Sequence, residues 1–138
     1  MNVTYEAVKT APVEDVVALY KSAGWWQESP EARKIIPGMI LGSFCFMVVR
    51  TDEGKTIGMG RVISDGCSDA YIQDVVVLKE YRGSGIGREL ILRLTKVCEE
   101  QKIGWIGLVA EPGTQEFYEK LGYGPLERYQ PMLYGRKR

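Results

Sequence analysis

The sequence predicts one α/β (α+β) domain, a mixed sheet with helices on its faces. Three observations carry that reading. Apolar periodicity alternates between strand and helix spacing in the order β, α, α, β, β, β, α, β, α, β. One stretch, Ala70 to Gln101, passes from a β-branched apolar run through a glycine turn into a long amphipathic helix. No linker, repeat or composition shift interrupts the 138 residues, a length that suits a single core.

Taken in order, Val3 to Lys9 alternates loosely and reads as a first strand. Pro12 sits where a first helical turn tolerates proline. Val13, Val16, Val17, Leu19, Tyr20 and Ala23 give the following helix a broad apolar face, and Gly24 ends it. Trp25 and Trp26 follow. Ser29 and Pro30 open a short second helix that Pro37-Gly38 is expected to break. Phe44 to Arg50 and Thr56 to Ser64 read as a hairpin across the polar turn 51–55. Asp65-Gly66 turns the chain into the central strand, whose run from Ile72 to Leu78 suits burial on both faces. The long helix carries Ile86, Leu90, Ile91, Leu94, Val97 and Cys98 on one face. Ile103 to Ala110 reads as another strand, and Pro112-Gly113 as a turn. Thr114 is placed to cap a short helix that closes at Gly122, and one or two strands are expected between Tyr123 and Tyr134, limited by Pro125 and Pro131.

The glycine turn is the chemical centre of the chain. The first N–H groups of a helix have no internal partners and carry a partial positive charge. Gly83, Gly85 and Gly87 remove the Cβ atoms that would hold a bulky anion away, so the turn suits a phosphate or pyrophosphate, with Arg82 and Arg88 flanking it. The dinucleotide fingerprint fails because its third glycine position is Arg88, and no Gly-Lys-Ser/Thr triplet exists for a Walker loop.

What fits is Arg82-x-x-Gly85-x-Gly87. This resembles the R/Q-x-x-G-x-G/A pyrophosphate loop of the GCN5-related N-acetyltransferases, the GNAT superfamily. The segment Phe117-Tyr118-Glu119-Lys120-Leu121-Gly122-Tyr123 is similar to a second signature of that family, and the element order matches along nearly the whole chain. The resemblance implies the GNAT acyl-CoA N-acyltransferase fold, with a mixed, mostly antiparallel central sheet. It implies acetyl-CoA as cosubstrate, no metal, and direct attack by an amine in a ternary complex. It places Arg82, Gly83, Ser84, Gly85, Ile86, Gly87 and Arg88 on the pyrophosphate, the amides of Val75, Val76 and Val77 along the pantetheine and acetyl carbonyl, Phe117 on the cofactor, and Tyr118 near the sulfur. Tyr118 is the candidate acid for the departing thiolate, a phenol of pKa ~10 being protonated at neutral pH.

Asp74 interrupts an apolar strand and Glu111 stands at a strand's C-terminal end. Either is a candidate base for the amine, directly or through water, and each has a plain alternative: a structural hydrogen bond for Asp74, a solvated loop for Glu111. Many relatives carry an asparagine after the fifth strand, where this chain has Glu111-Pro112-Gly113-Thr114. Trp25 and Trp26 either pack into the core or a dimer contact, or wall the acceptor site for an apolar or cationic amine.

Composition excludes more than it selects. Eighteen basic against eighteen acidic residues leave no net charge to favour nucleic acid, and the Arg136-Lys137-Arg138 tail reads as a solvated terminus. No apolar run reaches the roughly 20 residues that span a membrane, and the opening residues MNVTYEAVKT lack a signal-peptide pattern. Cys45, Cys67 and Cys98 read as reduced thiols of a cytoplasmic protein, and the absence of histidine excludes Ser-His and Cys-His nucleophiles. The neutral balance favours a small amine acceptor over a basic protein tail. The alternatives are a protein lysine or N-terminal acetyltransferase, a non-catalytic acyl-CoA sensor of the same fold, and a homodimer through the C-terminal strands.

Overall fold

Six of the ten residues of Val13–Ser22 are apolar, and all but the exposed Ala18 fall on one side of a helix, α1, that buries Val16, Val17, Leu19 and Tyr20. The structure, a computed structural model, describes residues 2–135; Met1 and the basic tail 136–138 lie outside them. Glu14 and Asp15 sit in the first turn of α1, against the positive end of its dipole. Gly24, at φ +77°, ends the helix as expected. Its N–H donates to the Lys21 carbonyl (3.0 Å) while the Trp25 N–H reaches back to the Tyr20 carbonyl (3.0 Å).

The next segment departs from the sequence reading. A 3-10 turn over Ala32–Ile35 leads into α2, Ile36–Gly42, so Pro37-Gly38 opens this helix rather than breaking one. Proline in a first turn lacks only an N–H that would have no partner there. Ser29 contributes its carbonyl to the Ala32 N–H (3.2 Å), and no side chain caps the helix.

The sheet runs in the order β1 (Val3–Ala7), β2 (Cys45–Thr51), β3 (Thr56–Ser64), β4 (Asp69–Val77), β5 (Trp105–Leu108). The first four strands pair antiparallel. β4 reaches β5 through α3, Ile86–Glu100, the helical crossover that parallel neighbours require, which makes the sheet mixed. The β2–β3 hairpin is as expected, with Gly54 at φ +86° in its turn. The following turn is held by Asp65, whose Oδ1 accepts the N–H groups of Cys67 (2.9 Å) and Ser68 (2.8 Å). β4 is buried on both faces only at its C-terminal end. Asp69, Tyr71 and Gln73 alternate outward with buried Ala70 and Ile72, since successive side chains of a strand point to opposite faces.

Helices cover both faces of the sheet. Met59 and Val76 join Val16, Leu19, Tyr20, Ile36 and Ile40 in one cluster. Gly60, the next residue on β3, faces the other way, where a Cβ would stand 2.8 Å from Leu94 Cδ1 of α3. Glycine at position 60 therefore lets α3 lie directly on the strand. Leu90, Ile91, Leu94 and Cys98 of α3 have no exposed surface, and truncating such a leucine to alanine costs about 2–5 kcal/mol.

The chain divides after Gly107 into two units. In the second, α4 spans Gln115–Glu119, and Gly122 at φ +98° terminates it with the Tyr123 N–H on the Tyr118 carbonyl (3.1 Å). The strands expected between Tyr123 and Tyr134 are absent from the described residues, which are turns and irregular chain there. Pro125 and Pro131 remove two ladder donors, and Arg128 at φ +70° leaves the extended region. Among the described residues no helix is long and apolar enough to cross a membrane.

Candidate functional site

β4 ends at Val77, and a 3-10 turn over Lys79–Tyr81 leads into the glycine loop. Gly83 and Gly85 adopt φ +85° and +87°, a left-handed backbone that glycine takes without strain, and a Cβ on either would meet nothing within 4 Å. The loop is anchored at its near end. Arg82 donates from Nε to the Val77 carbonyl (2.8 Å), and Ser84 donates from Oγ to the Tyr81 carbonyl (3.0 Å). Arg82 is thus partly committed to holding the loop on the strand. The backbone ladder of α3 starts with the Glu89 N–H on the Gly85 carbonyl (3.0 Å). Among the described residues no backbone acceptor is paired with the N–H groups of residues 83 to 88. A 15-residue helix therefore presents its positive end through an exposed turn in which Gly83 and Gly85 carry no side chain.

The strand before the loop is irregular. Met59 pairs with Val76 and Arg61 with Gln73, so Asp74 and Val75 together oppose Gly60. This is a bulge, which leaves one residue out of the ladder and turns its peptide group aside. Asp74 takes φ +56° there, a value uncommon outside glycine. Its Oδ2 accepts two hydrogen bonds, from Tyr20 Oη on α1 (2.8 Å) and from Arg61 Nε on β3 (2.8 Å). The Tyr20 hydroxyl also lies 3.2 Å from the Met39 sulfur, and Arg61 reaches Ser43 Oγ (3.4 Å). Burial, followed by the Asp74 charge, pushes the Tyr20 phenol well above its ordinary value, so it remains a donor. Val75 is half-buried, and Val76 and Val77 are buried.

Trp25 and Trp26 pack half-buried against the same cluster, their rings 6.3 and 6.5 Å from that of Tyr20. Trp26 also donates to Glu28 (3.2 Å) and carries the Arg33 guanidinium 5.5 Å over its ring. Arg33 in turn reaches Glu14 of α1 (2.8 Å). The fold therefore gathers Trp25, Trp26 and Asp74 around Tyr20.

Glu111, Phe117 and Tyr118 belong to the second unit. Phe117 and Tyr118 meet edge to face at 5.0 Å, and Tyr123 lies 6.1 Å from Tyr118. Burial, with smaller contributions from Glu111 and Tyr123, raises the Tyr118 phenol above its ordinary value. Glu111 is exposed, and its carbonyl accepts the Thr114 hydroxyl (2.7 Å). Among the described residues no group of three or more Asp, Glu, Cys or His is placed to hold a metal ion.

Sequence reasoning missed Tyr20 and Arg61. The available signal for Arg61 was a charge inside the apolar strand run Gly58 to Ile63, matched by Asp74 in the neighbouring strand. Tyr20 carried no signal, since it shares the apolar face of its helix.

Residues 42–125, more than half of the chain, match the family model described as an acetyltransferase (GNAT) domain. An uncharacterized N-acetyltransferase, ycf52, of Pyropia yezoensis is 38% identical over 117 residues, covering 83% of this chain and 66% of that protein. The chloroplastic GCN5-related N-acetyltransferase 2 of Arabidopsis thaliana is 39% identical over 74 residues, 54% of this chain and 29% of that one. The chain spans 29% to 66% of the length of such curated relatives. Among solved structures, protein SA2161 of Staphylococcus aureus, a probable acetyltransferase, superposes with a TM-score of 0.81 at 26% identity, covering 96% of this chain and 98% of the other. The protein AAC(6')-Iy, solved with the bisubstrate analog CoA-S-monomethyl-acetylneamine, has the same fold at a TM-score of 0.76 and 18% identity, covering 100% of this chain and 99% of the other.

Proposed function

The chain belongs to the GNAT acetyltransferase family, and on that premise we propose that it transfers the acetyl group of acetyl-CoA to a primary amine of a small molecule. The observation that carries the reading is the run of N–H groups from residue 83 to 88 at the start of α3, which have no backbone acceptor among the described residues. These donors suit the diphosphate of CoA, and the open space around Gly83 and Gly85 admits it.

From there the pantetheine arm follows β4. The amides of Val75, Val76 and Val77 run along it, with Val75 at the bulge nearest the thioester carbonyl. Attack by a neutral amine puts negative charge on that carbonyl oxygen. A fixed N–H donor stabilises the charge without reorganisation, an effect worth about 3–4 kcal/mol for one such donor. Collapse of the tetrahedral intermediate breaks the C–S bond, and Tyr118 gives its proton to the leaving thiolate. The amine proton passes to Glu111 or water. Asp74, with Oδ2 engaged by Tyr20 and Arg61, is the weaker of the two candidate bases. Trp25 and Trp26 contribute an aromatic wall on the acceptor side.

The test is incubation of the purified chain with acetyl-CoA and a panel of amines, with free thiol read by absorbance. Release that depends on the amine is expected. Tight acetyl-CoA binding with no thiol release from any amine would instead mark a non-catalytic acyl-CoA-binding protein.

A further inference from the structure

We infer that Tyr20 and Arg61 are positioning residues for acetyl transfer, acting through Asp74 to hold the β4 bulge and so to aim the Val75 peptide group. The inference rests on the function proposed above and adds to it two residues from outside the glycine loop. Four observations support it. Asp74 is the extra residue of the bulge and holds φ +56°, which an aspartate side chain alone does not enforce. Its carboxylate is gripped from two elements at once, by α1 through the Tyr20 hydroxyl and by β3 through the Arg61 guanidinium, both at 2.8 Å. The grip is partly shielded, the Arg61 and Asp74 side chains being 17% and 24% exposed. On the opposite face the Val75 side chain and Leu94 of α3 close together over Gly60. A Cβ at Gly60 would stand 3.2 Å from Val75 Cγ2 and 2.8 Å from Leu94 Cδ1.

The bulge is thus clamped from both faces of the sheet, between the helix that bears the glycine loop and the helix that bears Tyr20. A strained residue held by surrounding contacts is a common way to preorganise a peptide donor. In this reading Asp74 has a mechanical role. The Tyr20 hydroxyl stays protonated at neutral pH, as its raised pKa requires.

The experiment uses the conservative variant Tyr20→Phe, alone and in an Asp74→Gly background, with two readouts. The first is the Val75 backbone amide cross-peak in a 15N–1H spectrum of the free protein, which needs no substrate. The second is steady-state kinetics. Tyr20→Phe is expected to move the Val75 cross-peak. It should lower kcat about five- to tenfold and leave KM for acetyl-CoA within twofold. Glycine takes a positive φ unaided, so in the Asp74→Gly background the same substitution should change neither readout. An unmoved Val75 cross-peak in Tyr20→Phe would overturn the inference, and so would an equal drop in kcat with and without Asp74. If Asp74→Gly fails to fold, the cross-peak comparison of wild type with Tyr20→Phe decides alone. If no amine is acetylated by the wild type, the proposed function fails while the spectra still judge the clamp.

Discussion

Gly85→Glu, paired with Gly85→Ala, separates what the glycine loop does for the fold from what it does for the ligand. Gly85 holds φ +87° and ψ 4°, and a Cβ there meets nothing within 4 Å. Either replacement therefore costs backbone strain alone, about 1–2 kcal/mol for a left-handed L-residue. In a chain of this length that lowers Tm by roughly 3–8 °C. Toward acetyl-CoA the two part company. The alanine methyl points into open space and leaves the N–H donors in place, so a loss within about tenfold is expected. The glutamate carboxylate competes for the same donors and repels the diphosphate. At roughly 5 Å and an effective dielectric near 20, one such charge pair costs on the order of 3 kcal/mol, which is more than ~100-fold in Kd. Isothermal titration with acetyl-CoA at low salt, alongside circular-dichroism melting, measures both. A folded Gly85→Glu protein that binds acetyl-CoA with the wild-type Kd would refute the idea that these amides hold the diphosphate.

Three further expectations follow from single residues. Tyr118→Phe should lower kcat by roughly 10²-fold with little change in acetyl-CoA affinity, and the alkaline limb of the wild-type rate profile should disappear, because a phenol raised by burial stays protonated past its ordinary pH and stops donating only above it. Equal turnover in the variant would remove Tyr118 from the reaction. Past the end of α3 the chain turns through Lys102 at φ +60°, with the Ile103 N–H on the Cys98 carbonyl (3.2 Å), a closure that glycine makes more cheaply. Lys102→Gly should stabilise by about 0.5–1 kcal/mol and raise Tm by roughly 2–4 °C, whereas Lys102→Ala, which keeps the Cβ, should not. Burial pushes the Cys98 thiol from near 9 up to about 11, with smaller contributions from Cys45 and Glu99. Because the folded value is the higher one, its stabilising contribution is complete below about pH 9 and is lost as pH rises through about 11. Urea midpoints should fall across that window by an amount worth at most about 2.7 kcal/mol, and Cys98→Val should flatten the fall.

The strand, glycine turn and helix between Asp69 and Glu100 were legible because each local signal agrees with the next: a β-branched run, glycines at positive φ, then a helical apolar stripe. Gly24 and Gly122 announced their helix ends for the same reason, since a left-handed closure strongly favours glycine. Where the reading went astray, neighbours outweighed the local signal. Pro37 can break a helix or begin one, and the preceding 3-10 turn decides which. The stretch after Tyr123 has aromatic residues of strand type, but two prolines and Arg128 deny it a ladder. The bulge left no trace in spacing. Its cause lies in the pairing of Arg61 with Asp74, thirteen residues apart in the chain, and in the missing side chain at Gly60. For the site, the open glycine turn at the start of α3 could be read from its glycines, whereas the Tyr20 and Arg61 contacts to Asp74 are visible only once α1 and β3 are packed.

The three tryptophans divide into two neighbourhoods, Trp25 and Trp26 beside Tyr20, and Trp105 tilted against Tyr71 on the sheet with ring centroids 5.2 Å apart. Indole emission responds to nearby charge and to water, so the molecule contains its own optical probe. A Trp105→Phe chain would emit indole light only from the pair next to Tyr20, and an amine arriving there, as the proposed acceptor side requires, would register as a change in colour or intensity within milliseconds, in a stopped-flow cell and with no label attached.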